Sequence, residues 1–186
     1  MSNQVNITLY EKDEPVHDPI AGFYTHYLLI ANGFILAHFL SPASRKAYKE
    51  MLMKEGFQGF PENIMKTLFR YADPTARKVA FSKKHVLPEQ TGFSKNQHEK
   101  VVISFRTYKV EICIYENIIF DPEINPYTQY VVTCNDFVIA SFTHFIGASA
   151  YVAYLKVKGF NNFPSHVQDV IHFYSDPSKR LKNLPN

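Results

Sequence analysis

Hydrophobic and polar positions alternate along Val5–Tyr10 (VNITLY) and again along Val110–Tyr115 (VEICIY), with β-branched residues prominent in both. This is the pattern of a half-buried strand. Tyr27–Ala31 and Phe34–Phe39 are nearly continuous apolar runs joined by Asn32-Gly33. Asn-Gly accepts the positive φ of a two-residue turn, so the spacing predicts a β-hairpin. Ser41 then stands where a helix cap is wanted, with Pro42 at the first helical position. The helix is expected to run to about Glu55 and stop at Gly56, which suits a left-handed C-terminal residue. Phe57 and Phe60 follow as core-filling rings across a short connection. Pro61 opens a second helix whose buried stripe is Ile64, Leu68 and Tyr71. Asp73-Pro74 is expected to end it.

The same elements recur. Shifted by 103 residues, positions 24–78 align with 127–181 without a gap, giving 18 identities in 55 positions. Unrelated chains of ordinary composition give roughly three or four. The matches include Asn32/Asn135, Tyr48/Tyr151, Gly56/Gly159, Phe60/Phe163, Tyr71/Tyr174, Asp73/Asp176 and Arg77/Arg180. Asn135-Asp136 is a weaker version of the hairpin turn. The reading is a tandem duplication of one βββαα module. The expected fold is α+β, each module an antiparallel sheet with two helices on one face, the modules related by a pseudo-two-fold. Residues 1–78 form the first module, 79–109 a basic linker, and 110–186 the second. Within the linker, Val101–Phe105 reads as an extra strand. The alternation changes phase between Phe105 and Val110, which predicts a bulge or break there.

Composition narrows the class. There are 16 Phe and 12 Tyr but no Trp, so even modules of this size can build cores from large rings. No apolar run approaches the length of a transmembrane helix, and the N-terminus lacks the basic start and apolar stretch of a secretory signal. Cys113 and Cys134, the two cysteines, sit in strand-like runs and are expected as free buried thiols in a reducing, cytoplasmic setting. The Lys-, Asn-, Ile-, Phe- and Tyr-rich usage points to an AT-rich microbial or phage genome.

Charge is unevenly placed. Residues 1–76 carry net −1, residues 77–109 net +6, and residues 110–186 net −2. Arg77, Lys78, Lys83, Lys84, Lys95 and Lys100 make this segment, with Arg180 in the second copy, the candidate nucleic-acid or anion contacts.

Catalytic signatures are missing. The eight histidines show no HxxxH or HExxH spacing, there is no CxxC, and His26 and His38 align with Gln129 and Ser141 rather than with histidines. There is no GxSxG elbow and no glycine-rich phosphate loop. No catalytic residue, metal site or cofactor is assigned. The shared Tyr-x-Asp-Pro-x-x-Arg motif, Tyr71–Arg77 and Tyr174–Arg180, is the most polar feature of both copies. It reads as a turn-capping Asp with a local Arg, or as a ligand-binding Arg.

The copies differ most on their first helix. Arg45, Lys46, Lys49, Glu50, Lys54 and Glu55 align with Ala148, Ser149, Val152, Ala153, Val157 and Lys158. Helix 145–157 is thus apolar nearly all round and should be covered on both faces. The cover is the first copy, the strand at 101–105, or a second chain. Phe145, Ala148, Val152, Ala153 and Val157 are the interface candidates.

These features together suggest a non-catalytic intracellular interaction or regulatory protein, an adaptor or inhibitor, that binds another macromolecule or self-associates as a homodimer. One alternative is a nucleic-acid-binding protein using residues 77–109. The other is a small-ligand binder or enzyme with a pocket between the modules, where Arg77, Arg180, Asp73, Asp176, Tyr24 and Tyr127 are first suspects.

Overall fold

The computed structural model describes residues 6–18, 22–81, 96–120 and 126–180. The protein is α+β, with one seven-stranded antiparallel sheet and five helices among these residues. The strands are β1 (Leu9–Asp18), β2 (Gly22–Ala31), β3 (Phe34–Phe39), β4 (Asn96–Phe105), β5 (Tyr108–Ile119), β6 (Tyr127–Cys134) and β7 (Phe137–Phe142). Their order across the sheet is β1-β2-β3-β7-β6-β5-β4. The helices are α1 (Pro42–Glu55), α2 (Glu62–Arg70), α3 (Pro74–Phe81), α4 (Phe145–Lys158) and α5 (Ser165–Phe173).

Local chemistry explains the elements. Asn32 and Gly33 take φ of 48° and 87°, and Asn135 and Asp136 take 49° and 66°, so both hairpins turn through left-handed pairs. Each hairpin also carries a register shift at the same place, between Leu29 and Ile30 and between Val132 and Thr133. The Ser41 hydroxyl caps α1 by accepting from the Ser44 N–H at 3.4 Å. Gly56 and Gly159 end α1 and α4 with φ of 75° and 61°.

Several boundaries differ from expectation. The first strand is not Val5–Tyr10: residues 6–8 lie outside it, and β1 begins at Leu9 and continues to Asp18, with its charged residues paired along β2. An edge strand tolerates charge because one side of it meets water. Of the bulge or break expected after Phe105, the structure shows a break, a hairpin turn. Phe105 pairs with Tyr108, Arg106 has φ 56°, and β4 lies at the sheet edge beside β5. Asp73-Pro74 ends α2, as the sequence suggests, but Pro74 then opens α3. The aligned Pro177–Lys179 makes only a single 3₁₀ turn.

The two halves of the sheet meet at β3 and β7. Their ladder joins Ala37 to Phe142, His38 to Ser141 and Phe39 to Ala140. One core fills the space between sheet and helices, drawing on Leu29, Phe39, Ile114 and Val132 from strands and on Leu52, Leu68, Leu155 and Ile171 from helices. The opposite side of the central strands is also buried: His38, Leu28, Val131 and Val138 are each almost inaccessible. Cys113 and Cys134 are free and buried. They project to opposite sides of adjacent strands, since Cys113 pairs with Thr133 while Cys134 pairs with Ile112. No helix among the described residues is long and apolar enough to cross a membrane.

Candidate functional site

Helices α1 and α4 leave the two central strands in opposite directions and lie side by side over the junction. Their contact is made of crossed side chains. The Ser44 hydroxyl and the Tyr151 hydroxyl are 3.1 Å apart, and the Tyr48 hydroxyl lies 3.3 Å from Nδ1 of His144. Each tyrosine thus reaches the first turn of the other helix. Between them runs a groove of about 180 Å³, walled by Ala47, Met51, Ala150 and Tyr154.

Tyr48, Tyr151 and His144, which meet at the groove, are uncharged at neutral pH. Burial pushes the hydroxyls of Tyr48 and Tyr151 well above the ordinary tyrosine range, so both stay protonated. Burial pushes His144 down to about 4, so its imidazole is neutral at physiological pH. His144 also stacks on Phe60 with ring centroids 3.8 Å apart. It stands where Ser41 stands in the first half, yet its side chain does not cap α4. With its proton affinity lowered this far, the imidazole is a weak general base, and burial keeps the phenol it meets protonated.

The suspects for a pocket between the halves serve their own surroundings instead. Nε of Arg77 donates to the carbonyl of Tyr71, and its Nη2 donates to Asn32 Oδ1 at 3.3 Å. Arg180 repeats this, donating to the Tyr174 carbonyl at 3.1 Å, to Asn135 Oδ1 at 3.3 Å and to Glu111 at 3.1 Å. Each arginine therefore clips the end of a helix to a hairpin turn. Asp73 accepts from the Thr75 N–H and hydroxyl at 2.9 and 2.8 Å, and Asp176 accepts from those of Ser178 at 3.0 and 2.8 Å. These bonds hold both carboxyls below the ordinary aspartate range. Tyr24 meets Phe137 edge-on at 6.1 Å and Tyr127 meets Phe34 at 5.8 Å, so these rings stitch one half to the other.

Of the basic candidates, Lys83, Lys84 and Lys95 lie outside the described residues. Lys78 belongs to α3. Lys100 pairs with Glu111 at 3.2 Å. No cluster of metal-ligating side chains occurs among the described residues.

The interface candidates separate into two sets. Ala148 and Val152 face the core at 0% and 2% exposure, whereas Ala153 is exposed and Val157 is 81% exposed. Phe145 is half-buried against His98 and Tyr130. Helix α4 is therefore not covered on both faces by the described residues. The first half explains why Ala148 and Val152 read as outward-facing. Their counterparts Arg45 and Lys49 point toward β1, where Arg45 pairs with Glu11 and Asp13 and Lys49 with Glu11. Arg45, like Ala148, is buried. The true outer stripe of α4 adds Ile146, 52% exposed, and the half-buried Ala150.

Sequence analysis does not single out His144 or Ile146, although the replacement of the Ser41 cap by a histidine at position 144 is a visible signal. It aligns His38 with Ser141 as equivalent positions, and the structure makes the two direct partners at 2.7 Å. The chain matches no known family model, no curated protein and no solved structure.

Proposed function

We propose that this chain is a non-catalytic interaction protein of the cytoplasm, built by duplication of a βββαα module and binding another protein through the outer side of α4. Free buried thiols at Cys113 and Cys134 support the reducing compartment. The duplication is supported by residue pairs 103 apart that make like bonds. Asn32 and Asn135 each accept from a backbone N–H, that of Thr8, just before β1, at 3.0 Å and that of Glu111, in β5, at 2.9 Å. The ladder between β3 and β7 is centred on His38 and Ser141, themselves 103 apart, as a pseudo-two-fold there requires.

One observation carries the functional reading. The polar residues common to both halves are occupied in holding the fold, while α4 exposes two large apolar side chains, Ile146 and Val157, on one helical stripe with Ala150 and Ala153; elsewhere among the described residues the exposed large apolar side chains of the helices, Met53, Phe69 and Phe173, stand one to a helix. The aligned α1 carries Ala43 and Lys54 in place of Ile146 and Val157. Selection for a bare apolar stripe on one copy fits contact with a protein surface better than contact with phosphate.

The test compares the wild-type chain with Ala153→Glu plus Val157→Glu, both exposed positions, as bait in cells that express it naturally, with nucleic acid digested in a parallel sample. A protein held by the wild type and released by the variant supports the reading. Retention that vanishes on nuclease treatment, or is equal for both baits, rejects it.

A further inference from the structure

Ile146, Ala150, Ala153 and Val157 are spaced four, three and four residues apart, the rhythm of a helix-packing seam. On α1 the equivalent positions are Ala43, Ala47, Glu50 and Lys54, so the seam there is half charged. We propose that the α4 seam is where two copies of this chain associate, helix against helix and antiparallel about a two-fold axis. The inference rests on the reading of this surface as an interface and names its occupant.

Size is the first argument. The seam runs large, small, small, large. Antiparallel packing sets Ile146 against Val157 of the second copy and Ala150 against Ala153 of the second copy, in both directions. Two alanine pairs at the centre let the axes approach to roughly 8 Å, while the larger residues close the ends.

Charge is the second argument, and it selects the same occupant. Helix α4 contains no acidic residue, and its cations Lys156 and Lys158 sit in its last turn. Parallel copies would bring these lysines together, whereas antiparallel copies set them beside the uncharged first turn of the other α4. Helix α1 runs antiparallel to α4, with Ser44 level with Tyr151 and Tyr48 level with His144. The same register carries Glu50 of one copy to the level of Lys158 of the second copy, twice by symmetry. Glu50 and Lys158 are both exposed, and neither joins an ion pair among the described residues. A dimer gives each its counter-charge at the rim of an apolar seam.

The test is the mass of the intact chain by sedimentation across a concentration series. The expected result is a species of twice the 21.5 kDa chain mass, with Ala153→Glu shifting it to monomer. Glu50→Lys and Lys158→Glu should each weaken association about tenfold, and the double exchange should restore it. Chains carrying Ala150→Cys mixed with chains carrying Ala153→Cys should form a mixed disulfide in preference to either symmetric one. A wild-type monomer up to about 100 μM overturns the dimer, because a micromolar complex would be saturated there. In that case a foreign protein still lost on Ala153→Glu leaves the interface reading standing, and no loss of any partner ends both. A dimer that is indifferent to Ala153→Glu, or a preference for the symmetric disulfides, also overturns the proposed arrangement.

Discussion

Nδ1 of His38 and the hydroxyl of Ser141 share a hydrogen bond of 2.7 Å across the seam between β3 and β7. The ring of His26 lies 4.7 Å from that of His38, centroid to centroid, and Nδ1 of His26 has no hydrogen-bond partner. Two imidazoles thus sit in the middle of the sheet, where water cannot solvate a charge.

Acid should therefore unfold the protein through its histidines. Burial lowers His26 and His144 from 6.5 to about 4, and lowers His38 well below 6.5, with His26 adding repulsion. In the unfolded chain these groups take up protons as pH falls below 6.5, while the folded chain keeps them neutral down to about 4. Stability is full above the higher value and is lost as pH falls toward the lower one. At a pH one unit below the unfolded value the loss is about 1 kcal/mol for each histidine. Urea midpoints between neutral pH and mild acid measure it. His26→Gln, which copies the residue at Gln129, should flatten the curve. A midpoint unchanged over that window in the wild type refutes the assignment.

The two turn asparagines are not equivalent in strength. Asn32 accepts from Thr8 and Arg77 and donates from Nδ2 to the Leu68 carbonyl at 2.9 Å. Asn135 accepts from Glu111 and Arg180, but its buried Nδ2 has no partner. Asn32→Ala should cost about 3 kcal/mol and Asn135→Ala about 2 kcal/mol, since only the first leaves a carbonyl orphaned. Equal losses in urea unfolding, or a larger loss at Asn135, would contradict this accounting.

Much of the fold could be read from residue chemistry. Asn32-Gly33, Ser41-Pro42 and Gly56 act through their own backbone preferences, so a local reading finds them. β1 beyond Tyr10 could not be found this way, because Glu11, Lys12, Asp13 and Glu14 carry no strand signal of their own. They are held by a ladder to β2 and by Arg45 and Lys49, which lie more than 30 residues away. α3 was hidden because Pro74 ends one helix and starts the next. The outer stripe of α4 was legible only in part. Helical periodicity places Ala153 and Val157 on one side, but which side faces water depends on how β1 engages the other helix.

The two cysteines should be unreactive in the native protein. Burial pushes both thiols above the ordinary range, Cys134 most strongly. Their placement on opposite sides of the sheet also forbids an intrachain bridge without refolding. An Ellman-type titration should find neither thiol on the native chain within minutes and both after denaturation. Fast labelling of one thiol would mean that its side of the sheet opens in solution.

Gly147 and His144 form a matched pair, and this gives the sharpest test of how the two halves differ. A methyl group at position 147 would lie 2.5 Å from Cε1 of His144 and 3.0 Å from a ring carbon of Phe142. In an open helix Gly→Ala stabilises by about 1 kcal/mol. Here the imidazole cannot retreat, because Phe60 stacks on it and Tyr48 bonds to it. Gly147→Ala should therefore destabilise by about 1–2 kcal/mol. The first half carries the alternative solution, Ser41 with Ser44, in which a small cap leaves room for a side chain one turn on. His144→Ser should remove the clash, so that Gly147→Ala becomes stabilising in that background. The effect of Gly147→Ala should thus change sign between the wild-type and His144→Ser backgrounds in a thermal or urea double-mutant cycle. If Gly147→Ala costs the same with or without His144, the glycine answers to Phe142 and the helix backbone rather than to the histidine.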